Sequence, residues 1–165
     1  SYDTPEETLQ NSLRLIEAGA DAVTLEGGLG QLEKVRLLTE SGISVCAHLG
    51  MLPQRVVEEG GYRKKGKDSA EAERLLEAAV ALESEGVFAV VLESMVPSVA
   101  AAITASLKIP TIGIGAGEEC DGQIRVLHDV MGGYPWFVPP FAKVYGNVAE
   151  VIRNSVEEYI KDVES

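Results

Sequence analysis

Short apolar runs alternate along this chain with longer stretches in which apolar residues recur every three or four positions. Residues 87–92 form the clearest run: six apolar residues weighted toward valine, preceded by Gly86 and too short for a helix. Such a run reads as a strand buried on both faces, as in a parallel sheet. Residues 22–25, 43–47 and 111–114 predict three more. Between the runs, Leu9, Leu13, Ile16 and Ala20 keep helical spacing, as do Leu32, Val35 and Leu38, and then Leu75, Leu76, Ala79 and Leu82. Each set predicts a helix with those residues turned inward. An alanine-rich helix is expected over 99–107 and an amphipathic one over about 148–163. The chain opens on a capping box, with Thr4 as N-cap, Pro5 at the first helical position and Glu7 at the third. It has no initiator methionine, so it is expected to start within a larger protein.

The order of these elements repeats. Three times a helix ends at a glycine (Gly19, Gly42, Gly86) and a strand follows whose end is polar (Glu26, His48, Glu93). Alternating helices and buried strands imply parallel βαβ units with right-handed crossovers. There are four such strands and a candidate fifth in residues 121–129, a segment ambiguous between strand and helix that contains His128. An open doubly wound sheet and part of a (β/α)₈ barrel both fit. A closed barrel takes about 250 residues, of which this chain would supply about five-eighths.

In either fold Glu26, His48, Glu93 and the glycine turn 113–117 fall at the carboxyl edge of the sheet, where α/β proteins bind ligands. A carboxylate at such a place must be solvated, paired or bound, because burying it bare is costly. Two carboxylates and an imidazole can carry metal-assisted acid–base chemistry, one carboxylate on the cation and the other free as base. His48 equally reads as a histidine satisfied at a strand end, and the glycines as a tight turn. The long connection 50–68 has a basic tip flanked by Gly60, Gly61 and Gly66, read as a solvated loop, with a lid as the alternative.

Composition narrows the partners. The net charge is −12 with only 14 Lys+Arg, so the basic footprint of a nucleic-acid or anionic-membrane binder is missing and a small-molecule or protein partner is expected. No apolar run approaches the roughly 18 residues of a membrane span, and no signal peptide opens the chain. Of the two cysteines, Cys46 lies inside an apolar run, which suits a reduced, cytoplasmic protein better than a disulfide framework.

The runs Leu25-Glu26-Gly27-Gly28, Ala47-His48-Leu49-Gly50 with Pro53-Gln54, Gly60-Gly61-Tyr62, Val91-Leu92-Glu93 with Val96-Pro97, the stretch 109–117, Asp121-Gly122-Gln123 and Phe141-Ala142-Lys143 follow one another in an order that resembles the ketopantoate hydroxymethyltransferases. The resemblance covers nearly the whole chain. It implies a (β/α)₈ TIM barrel of the phosphoenolpyruvate/pyruvate type, with residues 1–165 as a single domain supplying roughly the last five βα units. It implies transfer of a one-carbon unit from 5,10-methylenetetrahydrofolate to 3-methyl-2-oxobutanoate through an enolate stabilised by Mg²⁺ or another divalent metal. Glu93 then matches the general base and Glu26 a metal-shell glutamate, with His48 and Gly115 lining the pocket. Thr24 stands where the family carries a lysine that contacts the keto acid, and three strands, two metal-binding aspartates and a substrate-contacting serine are placed upstream of residue 1. A homo-oligomer, a decamer by resemblance, is expected. The alternatives are a catalytically silent relative kept for assembly or ligand binding, and a metal-dependent enzyme for another 2-oxo acid. Five strands of eight would leave residues such as Val23, Val45 and Val90 without partners across the barrel, so residues 1–165 alone are not expected to form an active soluble monomer.

Overall fold

A computed structural model describes residues 3–134 and 136–165. They fall into two compact units, one ending at Gln123 and the other running from Ile124 to Ser165. The first holds α1 (Pro5–Glu17), β1 (Val23–Glu26), α2 (Leu32–Glu40), β2 (Val45–Gly50), α3 (Ser69–Ser84), β3 (Ala89–Glu93), α4 (Pro97–Ser106), β4 (Thr111–Ile114) and the two-residue β5 (Gly122–Gln123). All pairings are parallel and the strand order is β1-β2-β3-β4-β5. That order separates the two architectures left open by the sequence. A doubly wound sheet reverses direction at a switch point, whereas consecutive strands laid side by side in one direction are a segment of a (β/α)₈ barrel.

The helices form where their local signals lie. Thr4 Oγ1 accepts the Glu7 N–H at 3.2 Å to cap α1, and Asp68 Oδ1 accepts the Glu71 N–H at 2.8 Å to cap α3. Alternate strand residues then meet the helix layer. Val23 and Leu25, Val45, Ala47 and Leu49, and Val90 and Leu92 join Val35 and Leu38 of α2, Ala79 and Leu82 of α3, and Ala100 and Ile103 of α4 in one core. This corrects the expected orientation of Val23, Val45 and Val90. They are 7%, 0% and 0% exposed because they face the helices of their own βαβ units, and need nothing across a barrel to cover them. The inward stripe of α1 also differs from expectation. Thr8 and Ser12 are its buried residues, with Leu9 and Ile16 packed against the core, while Leu13 is 42% exposed. Phe88, counted with the central strand, lies just before β3 and is half exposed.

The ambiguous segment 121–129 resolves into both elements it could have been: β5, then a turn, then α5 (Leu127–Met131). The second unit holds α5 and α6 (Val148–Glu164), the latter capped by Asn147, which accepts the Glu150 N–H. His128 sits in α5 with its ring stacked on Tyr134 at 5.0 Å. The amphipathic pattern expected of α6 is present, and its apolar residues Val151, Ile152, Val156, Tyr159, Ile160 and Val163 are all exposed. No helix among the described residues is long and apolar enough to cross a membrane.

At the amino end of β4 the chain is fastened by Asp121. Its Oδ2 accepts the Thr111 N–H at 2.8 Å and the Thr111 hydroxyl at 3.0 Å, and the Thr111 and Thr104 hydroxyls lie 2.8 Å apart. These bonds to Thr111 hold the Asp121 carboxyl below its ordinary value of 3.8. A depressed carboxylate contributes stability that is present above its unfolded value and lost as pH falls through the folded one. Asp121→Asn, which keeps the shape but not the charge, is therefore expected to lower Tm at neutral pH and to make its decline below about pH 4 shallower than in the wild type. Thermal melts across pH 2–7 check this, and identical slopes for the two proteins would contradict it.

Candidate active site

Because strand residues alternate between faces, the positions not taken by the helix core share the other side of the sheet. In register, these are Thr24 beside Cys46 and Ala89, then Glu26 beside His48, Val91 and Ile112, then Glu93 between Gly50 and Ile114. Glu26, His48 and Glu93 thus stand on one face at the carboxyl edge, Glu26 next to His48 and Glu93 one pleat further along. Parallel pairing alone places them there. Each directly follows a core-facing residue that locks its strand, Leu25 or Ala47 behind the first row and Leu92 behind the second.

His48 Nε2 lies 2.9 Å from Glu93 Oε2, and both side chains are only 12% exposed. The two atoms are close but not aligned for a hydrogen bond, and Nε2 makes none. A carboxylate placed in this way can take a proton from a ligand, with the imidazole beside it. Glu26 Oε2 accepts the Gln54 N–H at 3.3 Å. Thr24, two residues before Glu26, is exposed on the same face. Cys46 beside it is buried, and burial pushes its thiol above its ordinary value.

The glycine turn after β4 serves the chain's own packing. A Cβ at Gly113 would meet Cys120 Sγ and the Gln123 amide at about 3 Å, and one at Gly117 would meet Pro97 Cβ at 2.8 Å. Gly115 is buried with φ +67°, next to Ile114, which pairs with Glu93. His128 belongs to the second unit, where it stacks on Tyr134.

No three His, Cys, Asp or Glu side chains among the described residues converge to hold a metal ion. A complete cation shell is therefore not built by these residues. Glu26 offers one carboxylate, and Glu93 is engaged with His48. A cavity of about 310 Å³ lies elsewhere, lined by Gly27, Gly28, Leu49, Gly50, Arg74 and Leu75 among others. It opens on the helix side of the carboxyl edge, since Leu49 and Leu75 belong to the helix-side packing, and neither Glu26, His48 nor Glu93 lines it.

Several features at this edge carry no sequence signal. Ser94, directly after Glu93, has φ +46°, a left-handed state that costs an L-residue about 1–2 kcal/mol. Gly50 has φ +96°, and any Cβ there would strike the Glu93 carbonyl oxygen. The basic tip departs from the solvated loop expected of it. Arg63, Lys64 and Lys67 are exposed, but Lys65 is 6% exposed and pairs with Glu59 at 2.5 Å.

The family model for ketopantoate hydroxymethyltransferase matches residues 1–165. The 3-methyl-2-oxobutanoate hydroxymethyltransferase of Wolinella succinogenes is 48% identical over 164 residues, 99% of this chain and 63% of that protein. Those of Shewanella sp. strain ANA-3 and Shewanella halifaxensis are 48% identical over 163 residues, 99% of this chain and 62% of each relative. The chain thus spans somewhat under two-thirds of the length of these curated relatives. Among solved structures, a candidate phosphonomutase from Burkholderia cenocepacia J2315 aligns over 97% of this chain and 66% of its own with a TM-score of 0.53 at 14% identity. A candidate lyase/mutase from the same organism aligns over 67% and 42% with a TM-score of 0.51, also at 14% identity. At that identity the two share the fold alone. A five-stranded parallel sheet in barrel order, matched from end to end by one sequence family, makes this chain a member of the ketopantoate hydroxymethyltransferase family.

Proposed function

We propose that residues 1–165 carry the proton-abstracting side of a hydroxymethyl transfer from 5,10-methylenetetrahydrofolate to 3-methyl-2-oxobutanoate, giving ketopantoate for pantothenate and coenzyme A synthesis. The observation that supports it most is the Glu93 carboxylate beside His48 on the face it shares with Glu26. The carbon next to the keto group of the 2-oxo acid bears one proton. Glu93 removes it, and the electron pair moves onto the carbonyl oxygen as an enolate. Water releases the methylene of the folate donor as formaldehyde, breaking both of its carbon–nitrogen bonds and leaving two N–H groups on the folate; the enolate carbon then attacks that carbon, its C=O electron pair moves to oxygen, and the proton held by Glu93 completes the hydroxyl. His48, with Nε2 2.9 Å from Glu93 Oε2, lines the pocket beside the base.

A divalent metal, Mg²⁺ by resemblance, would supply positive charge to the enolate oxygen. Glu26 would be its one ligand from this chain, with the others outside the described residues. Thr24 and Gly115 are proposed to border the keto acid, Thr24 with a hydroxyl where the resemblance places a lysine. The reading carries with it small-molecule partners only, a cytoplasmic location and a homo-oligomer, a decamer by resemblance.

If Glu93 is the base, Glu93→Gln in the full-length protein should slow deuterium exchange of 3-methyl-2-oxobutanoate in D₂O by about 100-fold or more while substrate still binds. Proton NMR of the substrate follows this, and unchanged exchange removes Glu93 from the role. Glu26→Ala should weaken Mg²⁺ binding about 10–100-fold without lowering Tm, because the residue sits at the functional end of the sheet. Calorimetric titration showing equal affinity in both proteins would leave Glu26 as a strand end and nothing more.

A further inference from the structure

The strained end of β3 is held by a segment far from it in the fold's plan. Four backbone hydrogen bonds surround Glu93 and Ser94: Ser94 N–H to Ile114 O at 2.8 Å, Met51 N–H to Glu93 O at 2.9 Å, Lys65 N–H to Ser94 O at 2.8 Å, and Val96 N–H to Lys65 O at 2.9 Å. Three of the four involve Met51 or Lys65, the two ends of the connection after β2. The same connection donates Gln54 N–H to the Glu26 carboxylate. One strap of chain therefore touches both acidic strand ends, and fixes the backbone of the residue that carries Glu93.

What shuts the strap is a pair of charges. Lys65 is almost wholly buried, and its ammonium reaches Glu59 at 2.5 Å across a tip that contains Gly60 and Gly61. Glu59 is placed by its own N–H bond to Arg55 O at 2.9 Å. Beyond Lys65, Glu71 of α3 accepts the Gly66 N–H at 2.7 Å, which ties the far side of the strap to the helix. A buried ammonium cannot be left without its partner, so Lys65 reaches its place beside Ser94 only with Glu59 in position. An apolar strap of this length could slide, but one closed by a buried ion pair has a single register.

We propose that Lys65 and Glu59 are positioning residues for Glu93: their ion pair clasps the 51–65 strap onto the end of β3 and keeps the carboxylate at its working geometry. The proposal rests on the reaction assigned to Glu93 above, and its structural half can be read without that reaction. The experiment is made on the full-length protein with Lys65→Met, Lys65→Arg and Glu59→Gln. Lys65→Met is expected to lower kcat for deuterium exchange of 3-methyl-2-oxobutanoate about ten-fold or more with KM changed less than about two-fold, since misplacing a reacting group costs rate rather than binding. In the same variant the amide protons of residues 51, 65 and 96 should exchange with solvent about ten-fold faster, while those in the centres of β2 and α3 keep their rates. Lys65→Arg restores both readouts. Glu59→Gln, at the more exposed end of the pair, should give the same pattern at about three-fold, and serves as the readout if Lys65→Met does not fold. Unchanged kcat, or unchanged protection at the three amides, overturns the proposal. A wild-type protein that does not exchange the substrate proton would sink the reaction assigned to Glu93, and the amide rates would still decide whether the clasp exists.

Discussion

Parallel pairing that sets Glu26 opposite His48 and Glu93 opposite Gly50 is the constraint on which the rest of this structure depends. In a parallel sheet, directly paired residues share a face, and a slip of one residue would carry a whole strand to the other side. Here one face is filled by Val23, Leu25, Val45, Ala47, Leu49, Val90 and Leu92 against three helices. Slipping β2 by one residue would bury His48 in that layer and turn Leu49 out of it. Register is thus enforced by the core, and the acidic face is its by-product: the polar strand ends have nowhere else to go.

That division of labour explains why strength and chemistry sit on opposite sides. The helix-side core and the Asp121–Thr111 fastening bear the stability. The other face carries an imidazole and a carboxylate at 2.9 Å, and the carboxyl edge a strained Ser94 and a strap closed by the Lys65–Glu59 ion pair. These are costly features, and a structure sustains them only where surrounding bonds over-determine the geometry. Four backbone hydrogen bonds around Glu93 and Ser94 do so.

Much of this was legible in the sequence. Glycines after helices, short apolar runs and polar strand ends located β1, β2 and β3 and placed Glu26, His48 and Glu93 at one edge, because those signals are local. Facing was not legible for β3, since a strand apolar at every position has no alternation to show which side Val90 takes. Nor was the burial of Lys65, which looks like Lys64 and Lys67 in the chain and is set apart by its pairing with Glu59 and by a bridge to Met95, thirty residues further on. The brevity of β5 follows from the same limit, since two residues of strand leave no periodicity to detect.

The account stands most directly on where the 2-oxo acid binds. A crystal structure of the full-length protein with 3-methyl-2-oxobutanoate and Mg²⁺ would locate it. The account predicts the keto acid on the Glu26–His48–Glu93 face, its proton-bearing carbon within about 3.5 Å of the Glu93 carboxylate. Keto acid bound instead on the helix side, in the cavity beside Arg74 and Leu75, with Glu93 out of reach, would contradict it.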